Sequence, residues 1–210
     1  MIVSLLFITG FFALAIGFGC YSLVSDSVDA FLTKDPAASS KFQVFLTYPG
    51  IHALIFHRIA HVLYCTGFSL LSSIVAYVSR FLTSIEIHPG ATIGKSFNID
   101  HGCGVVIGET VIIHNNVTIY SGVVLGGRAN KSLSKGQVRH PELFDDVIVG
   151  CSAAILGPIK IGQGAKIGAN AVVLEDVDDM QTVVGVSARP VMTKRSHLLV
   201  TSHRYSLLMV

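Results

Sequence analysis

The chain has few charged residues and no concentration of positive charge. Asp, Glu, Lys and Arg make up 13% of its 210 residues, and the formal net charge is +2. It has no basic run and no basic patch interleaved with aromatic residues, so the sequence argues against a nucleic acid as a partner. At this length we expect one main domain with a smaller appendage.

The cysteines also lack a pattern. Cys20, Cys65, Cys103 and Cys151 lie far apart and form no Cys-x-x-Cys pair, which is the spacing typical of zinc and redox sites. Reduced thiols in a reducing compartment are therefore expected, and we predict a cytoplasmic protein.

Charge is missing altogether from residues 1–24. As a helix this segment would be about 36 Å long, which is enough to cross a bilayer. No Lys or Arg precedes Cys20, whereas a cleaved signal peptide usually begins with one. Two interpretations stay open. The segment is either a membrane anchor or an apolar helix buried against a partner subunit, for which its glycines would allow close packing.

Residues 25–84 are predicted to form a helical region. Apolar side chains follow helical spacing from Ile51 onward, Thr66-Gly67 interrupts the pattern, and a second helix begins near Ser69. We expect this pair of helices to pack on the beginning of the next region and to cap it, because the end of a repetitive structure needs protection.

Residues 85–188 are dominated by an aliphatic residue that recurs every six positions. A helix would show a period of 3.6 and a single strand a period of two, so neither explains the spacing. A period of six fits a short strand followed by a turn, which together form one side of a three-sided coil. The prediction is a mainly β protein built as a parallel β-helix. The repeated residues are Ile87, Ile93, Ile99, Ile107, Ile113, Ile119, Leu125, Val149, Ile155, Ile161, Ile167 and Val173.

The repeat is interrupted twice. It slips by two residues between Ile99 and Ile107, and a longer loop, assigned to residues 126–146, breaks it again. Loops that leave one face of a solenoid usually carry its binding function. The pattern fades after Val173, and residues 189–210 are predicted to be a C-terminal tail.

The histidines do not predict a metal site. His57 and His61 have the i, i+4 spacing of a metal pair, but no third ligand accompanies them, so packing or surface roles are favoured. His88, His101 and His114 are spaced by 13 residues, which invites comparison with zinc enzymes built on such repeats. Thirteen is not a whole number of coils of about 18 residues, so these side chains should not converge within one chain.

His101 is the candidate general base. It follows Asp100 at the slip in the repeat, and a neutral imidazole, with a pKa of about 6.5, can take a proton from an alcohol. Glu86, one coil below, is the candidate carboxylate that would fix its tautomer and stabilise the imidazolium. His140 follows Arg139 in the long loop and could reach the His101 of another subunit.

Seven short segments carry a pattern that is more specific than the repeat. They are Asp35-Pro36-Ala37-Ala38, Leu46-Thr47-Tyr48, His57-Arg58-Ile59-Ala60-His61, Asp100-His101-Gly102, Val106-Ile107-Gly108-Glu109-Thr110, Val124-Leu125-Gly126-Gly127 and Arg139-His140-Pro141. Together they resemble serine O-acetyltransferases, especially the short bacterial form, in one collinear run over about residues 33 to 188.

This resemblance implies a left-handed β-helix that assembles as a trimer or a dimer of trimers, with active sites between neighbouring subunits. It implies transfer of acetyl from acetyl-CoA to the hydroxyl of L-serine, giving O-acetyl-L-serine and CoA for cysteine biosynthesis. Direct attack through a tetrahedral intermediate is expected, with no acyl-enzyme. No cofactor would be bound permanently, since acetyl-CoA enters as a co-substrate.

The resemblance also assigns roles by position. His101 would be the general base, and Glu86 would occupy the place of its carboxylate partner. The remaining positions are Asp35 and Asp100 for the serine ammonium, Arg139 and His140 near its carboxylate and hydroxyl, and Gly127, Cys151 and Lys166 for contacts with acetyl-CoA.

Two alternatives are distinguished by particular residues. An O-acetyltransferase for a sugar or an exopolysaccharide precursor would suit a membrane-tethered chain, but a sugar has no ammonium or carboxylate for Asp35, Asp100 and Arg139 to bind. A scaffold trimer without activity would not need both histidines of the candidate site. The apolar C-terminus, residues 207–210, differs from the isoleucine that docks into cysteine synthase in some relatives but is compatible with such docking.

Overall fold

The computed structural model describes residues 19–128 and 137–185. The predicted C-terminal tail and most of the apolar segment 1–24 lie outside these residues. Within the described ranges, no helix is both long and apolar enough to cross a membrane.

The helical region contains α1 (Ser25–Lys34), α2 (Lys41–Thr47), α3 (Pro49–Cys65) and α4 (Ser69–Thr83). The last two lie where the apolar spacing predicts them. Helix α3 begins with a proline, whose missing N–H costs nothing in a first turn. It ends before Gly67, whose φ of 88° reverses the chain into α4.

Short parallel strands follow the helices and wind into three sheets, which confirms the predicted left-handed β-helix. Each strand pairs with strands one coil away, so three successive strands make one coil. Within the described residues, sheet A has the order β1-β4-β7-β10-β13, sheet B β11-β8-β5-β2, and sheet C β14-β12-β9-β6-β3. The strands are β1 (Glu86–Ile87), β2 (Thr92–Ile93), β3 (Asn98–Ile99), β4 (Val106–Ile107), β5 (Ile112–Ile113), β6 (Thr118–Ile119), β7 (Val124–Gly126), β8 (Glu142–Leu143), β9 (Ile148–Val149), β10 (Ala154–Leu156), β11 (Lys160–Ile161), β12 (Lys166–Ile167), β13 (Val172–Val173) and β14 (Thr182–Val183).

The aliphatic repeat is the core of this coil. Each of the twelve predicted residues is buried, and neighbours in the stack lie directly above one another, as Ile107 does above Ile87. Full burial of such a side chain contributes roughly 1.5–3 kcal/mol. Burial of the stacked side chains therefore stabilises the fold, although each strand is only two or three residues long.

The structure corrects the extent of the repeat in two places. It resumes at Leu143, one strand earlier than predicted, since Leu143 is buried and pairs with Ile113. The excursion between β7 and β8 is therefore shorter than residues 126–146. The repeat also continues past Val173, because Val177 is buried and Val183 pairs with Ile167.

Helix α3 closes the first coil with side chains that donate to its carbonyl groups. His57 Nε2 donates to the Ala91 carbonyl at 3.1 Å, and His61 Nδ1 donates to that of Pro89 at 2.7 Å. A carbonyl only accepts, so both ring nitrogens must carry hydrogen. These contacts bear out packing roles for the two histidines.

Helix α4 leaves a broad apolar face uncovered. Leu70, Tyr77 and Phe81 are 75%, 69% and 80% exposed, respectively. Contiguous exposed apolar side chains of this size are unusual on a monomer and mark a surface for association.

Candidate active site

The slip in the repeat forms a corner between sheets C and A, here called the first corner (residues 100–105). His101 has a φ of 58°, and Gly102 and Gly104 are also left-handed, with φ values of 77° and 74°. A left-handed conformation costs a non-glycine residue about 1–2 kcal/mol. The two additional residues place the His101 side chain outside the coil, where it is 82% exposed.

A cleft of about 340 Å³ opens beside this corner. It brings together three of the predicted site residues, Asp35, Asp100 and His101, although Asp35 is far away in sequence. Asp100 Oδ1 lies 3.9 Å from His101 Nε2. The remaining lining residues are Ala37, Thr47, Tyr48 and Pro49.

Asp35 is held as a fixed negative charge in this cleft. Tyr48 Oη donates to its Oδ2 at 2.7 Å, and the amide of Ala37 donates to its Oδ1 at 2.8 Å. These two hydrogen bonds, with that of Tyr48 the larger cause, lower the pKa of Asp35. The same hydrogen bond raises the pKa of Tyr48 to about 12, so Tyr48 remains a donor.

Glu86 lies near the first corner, but its carboxylate pairs with another residue. The amide of Gly104 donates to the Ser84 carbonyl at 3.0 Å, so the segment leading to Glu86 runs beside the corner. The carboxylate is 3.0 Å from Arg80 Nη1. No hydrogen bond joins Glu86 to His101 among the described residues, and the assignment of Glu86 as its partner stays a prediction.

Arg139 and His140 lie at a different corner, between sheets A and B, here called the second corner (residues 108–111). Arg139 Nη2 is 2.8 Å from Glu109 Oε2, and Tyr64 Oη donates to the other oxygen of that carboxylate at 3.2 Å. The guanidinium has five N–H donors in all, so this ion pair leaves others for a ligand.

His140 is buried at the second corner. Its Nδ1 lies 3.1 Å from the amide nitrogen of Thr110 and 2.8 Å from the Thr110 hydroxyl. Its ring edge rests on Gly108, where a Cβ would overlap the imidazole. Burial lowers the pKa of His140, and the Arg139 cation lowers it further.

The two corners lie at opposite ends of one side of the coil, with β4 between them. The eight residues from His101 to Gly108 are joined by seven steps of about 3.3 Å, which span about 23 Å when extended. In a single chain, Asp35 and Asp100 therefore lie with His101 at the first corner. Arg139 and His140 lie at the second corner.

The residues predicted to contact acetyl-CoA are similarly divided. Gly127 packs beside Arg139 at the second corner. Cys151 is exposed two coils beyond the first corner, on the same edge of the β-helix. Lys166 belongs to sheet C and pairs in register with Ile148. The fold does not bring these three residues together within one chain.

Sequence similarity identifies the family to which this site belongs. A family model described as "Bacterial transferase hexapeptide (six repeats)" matches residues 140–175. The serine acetyltransferase of Bacillus subtilis is 52% identical over 171 residues, which cover 81% of this chain and 77% of that protein. The chain belongs to the serine acetyltransferase family. The resemblance predicted from the seven segments is thereby confirmed.

Solved serine acetyltransferases share the fold. Isoform 3 from Entamoeba histolytica, crystallised in complex with cysteine, matches with a TM-score of 0.75 and 39% identity over 86% of this chain. The chain spans 63% of that protein. The Neisseria gonorrhoeae serine acetyltransferase in complex with serine matches with a TM-score of 0.74 and 38% identity, covering 83% of this chain and 69% of that one.

Two residues of the candidate site were not predicted from the sequence. Tyr48 lies in a segment that supports the family resemblance, but no spacing connects it with Asp35. Thr110 hydrogen-bonds His140 from thirty residues away. The same offset of thirty residues separates the aligned core residues Ile119 and Val149. The aliphatic repeat therefore contained the signal that would have paired Thr110 with His140.

Proposed function

We propose that the protein transfers the acetyl group of acetyl-CoA to the hydroxyl of L-serine, giving O-acetyl-L-serine and CoA for cysteine biosynthesis. The observation that carries this proposal is the cleft that joins Asp35, Asp100 and His101. Two carboxylates beside an exposed imidazole suit a small substrate that bears both an ammonium and a hydroxyl group.

The charges at the two corners fit the two ends of a serine zwitterion. Asp35 and Asp100 would bind the ammonium, and hydrogen bonds from Tyr48 and Ala37 keep Asp35 ionised. Arg139 would bind the carboxylate with N–H donors that Glu109 does not use. A neutral sugar carries no charge for Asp35, Asp100 or Arg139 to bind, so it would gain none of these charge-assisted contacts.

His101 would act on the serine hydroxyl as a general base. It would remove the proton while the serine oxygen attacks the thioester carbonyl of acetyl-CoA, so that a tetrahedral intermediate forms. Collapse of that intermediate would release the CoA thiolate, which takes the proton from the His101 imidazolium. General-base catalysis of this kind contributes about 10²–10⁴ in rate. Holding both substrates in one cleft would raise the rate further through proximity.

The complete site would form between subunits of a trimer or a dimer of trimers. Within one described chain the acids and the guanidinium lie at opposite corners, which supports a site in which the second corner of a neighbour would complete the first. The uncovered face of α4, where Phe81 is 80% exposed, gives further apolar surface for assembly. Gly127, Cys151 and Lys166, also separated within one chain, would contact acetyl-CoA across the same interface.

Three further proposals concern where the protein is located and what its ends contact. A cytoplasmic location follows from the proposed biosynthetic reaction and from the unpaired cysteines. Docking of residues 207–210 into cysteine synthase and tethering through residues 1–24 stay predictions from the sequence alone.

The decisive experiment measures CoA release with a thiol reagent. Acetyl-CoA is supplied with L-serine or with a panel of sugars, and we expect turnover with L-serine alone. No turnover with L-serine at saturating acetyl-CoA would overturn the proposal, and turnover with a sugar would replace it with the sugar acetyltransferase alternative.

Mixed subunits test the shared site. His101→Ala and His140→Ala proteins should each be inactive, but co-refolded subunits should recover about a quarter of the wild-type activity, because one interface in four of a random ring joins two intact histidines. No recovery in mixed trimers would contradict a site shared between subunits.

A further inference from the structure

The two site histidines differ in how the protein holds them. His101 projects from its corner with its side chain 82% exposed, whereas His140 is only 8% exposed and hydrogen-bonded to Thr110. A backbone amide can only donate, so the 3.1 Å contact from the Thr110 amide requires His140 Nδ1 to be an acceptor.

The hydroxyl of Thr110 supplies a second donor to the same nitrogen. The amide of Arg139 donates to Thr110 Oγ1 at 3.1 Å. Because His140 Nδ1 already accepts from the Thr110 amide, the hydroxyl directs its own hydrogen to that nitrogen, 2.8 Å away. Two donors converge on this one nitrogen, which places the proton of the neutral ring on Nε2.

The electrostatic surroundings keep the ring neutral. Burial and the Arg139 cation disfavour the imidazolium, and His88 acts in the same direction. Glu109 opposes them, but its charge is largely committed to Arg139 at 2.8 Å. An imidazolium would also direct an Nδ1 hydrogen against the two Thr110 donors.

We propose that Thr110 is a positioning residue that holds His140 as its Nε2–H tautomer, so that His140 donates a hydrogen bond to a substrate oxygen while His101 alone transfers the proton. The catalytic half of this inference rests on the proposed acetyl transfer. The tautomer does not, because it follows from contacts within the protein. The two histidines would then be unable to exchange roles.

Two substitutions at one position test the hydroxyl. Thr110→Val preserves the shape but removes the hydroxyl, and Thr110→Ser restores it. We expect kcat to fall by about tenfold to a hundredfold in Thr110→Val, somewhat less than the loss of a whole oxyanion donor, and to recover in Thr110→Ser. Thr92→Val, an exposed threonine of β2, is the matched control and should retain wild-type kcat.

The tautomer is read independently by ¹⁵N NMR of histidine-labelled protein, with His140 assigned through its loss in His140→Asn. In the wild type we expect a protonated Nε2 and an unprotonated Nδ1. Thr110→Val removes a donor that stabilises the neutral ring, so the pKa of His140 should rise, and the pH at which its ¹⁵N shifts change should rise with it. A purely structural threonine would change neither.

The outcomes separate the two halves of the inference. A protonated Nδ1 in wild-type His140, or an unchanged tautomer, pKa and kcat in Thr110→Val, would overturn it. If Thr110→Val fails to fold, Thr110→Ala replaces it in the same measurements. An Nε2–H tautomer in a protein without serine acetyltransferase activity would refute the donor role and the proposed function but leave the positioning by Thr110 intact.

Discussion

Replacing Gly108 by alanine tests whether His140 must occupy its observed place. The imidazole edge rests directly on Gly108, and an alanine Cβ would overlap its Cδ2 and Nε2 atoms. Carbon atoms in contact settle at about 3.5–4.0 Å, so the ring must retreat by on the order of 1 Å. It can do so, because it is the far end of a side chain and not backbone.

The expected loss is much larger in turnover than in stability. A misplacement of about 1 Å in a catalytic group can cost about a hundredfold in rate. Retreat of the ring also weakens its hydrogen bonds to Thr110, each worth about 0.5–1.5 kcal/mol net, so the free energy of unfolding should fall by about 1–3 kcal/mol. We expect Gly108→Ala to fold and to lose about a hundredfold in kcat/KM for L-serine.

The assay compares CoA release and urea unfolding in Gly108→Ala and Gly168→Ala. Gly168 holds the equivalent place after an aliphatic core residue, and its added Cβ would meet Val184 Cγ1 at 3.0 Å, remote from both histidines. The control should lose stability but little activity. Wild-type kcat/KM in a folded Gly108→Ala protein would refute the requirement for His140 at this point.

Three further predictions concern single side chains. His101→Ala should abolish turnover while sedimentation shows an unchanged assembly, and retained turnover would remove the general base. Asp35→Asn should raise KM for L-serine by about tenfold or more through loss of a charge-assisted contact; an unchanged KM would place the ammonium elsewhere. Burial lowers the pKa of His57 to about 3, so between about pH 6.5 and 3 the unfolded chain binds the additional proton and stability falls as pH falls, by up to about 1.4 kcal/mol per unit. Urea unfolding of His57→Gln from pH 7.5 to 5 should show a free energy of unfolding that falls less steeply with pH than in the wild type. An equal dependence on pH would contradict a lowered pKa of His57.

The fold was predictable because its main determinant is local and repeated. Every coil uses the same inward position for an aliphatic residue, so the six-residue period survives even where one strand is misassigned. Leu143 was missed although it lies six residues before Val149, because the polar loop ahead of it obscured the pattern. Its burial and pairing with Ile113 restore the missing side of the third coil.

The site was predictable only in part, because several of its side-chain contacts are made by residues of the helical region, which lie outside the repeat. Asp35 precedes α2 and meets Tyr48, which follows it, and Glu86 meets Arg80 in the last turn of α4. Family resemblance assigns roles to residues that carry charge or protons, and those roles stay predictions. It did not reveal Thr110, which acts through a hydrogen bond to another side chain.

The connection between β7 and β8 is a place where such an enzyme can change in length without disturbing its core. The chain leaves the coil after Gly126 and rejoins it at Glu142, in register with Ile112 below and Lys160 above. Doubling the length of a flexible loop costs only about 0.6 kcal/mol in closure entropy. Insertions there would leave the stacked core unchanged, so this connection can lengthen at little cost in stability while Arg139 keeps its ion pair with Glu109 at the point of return.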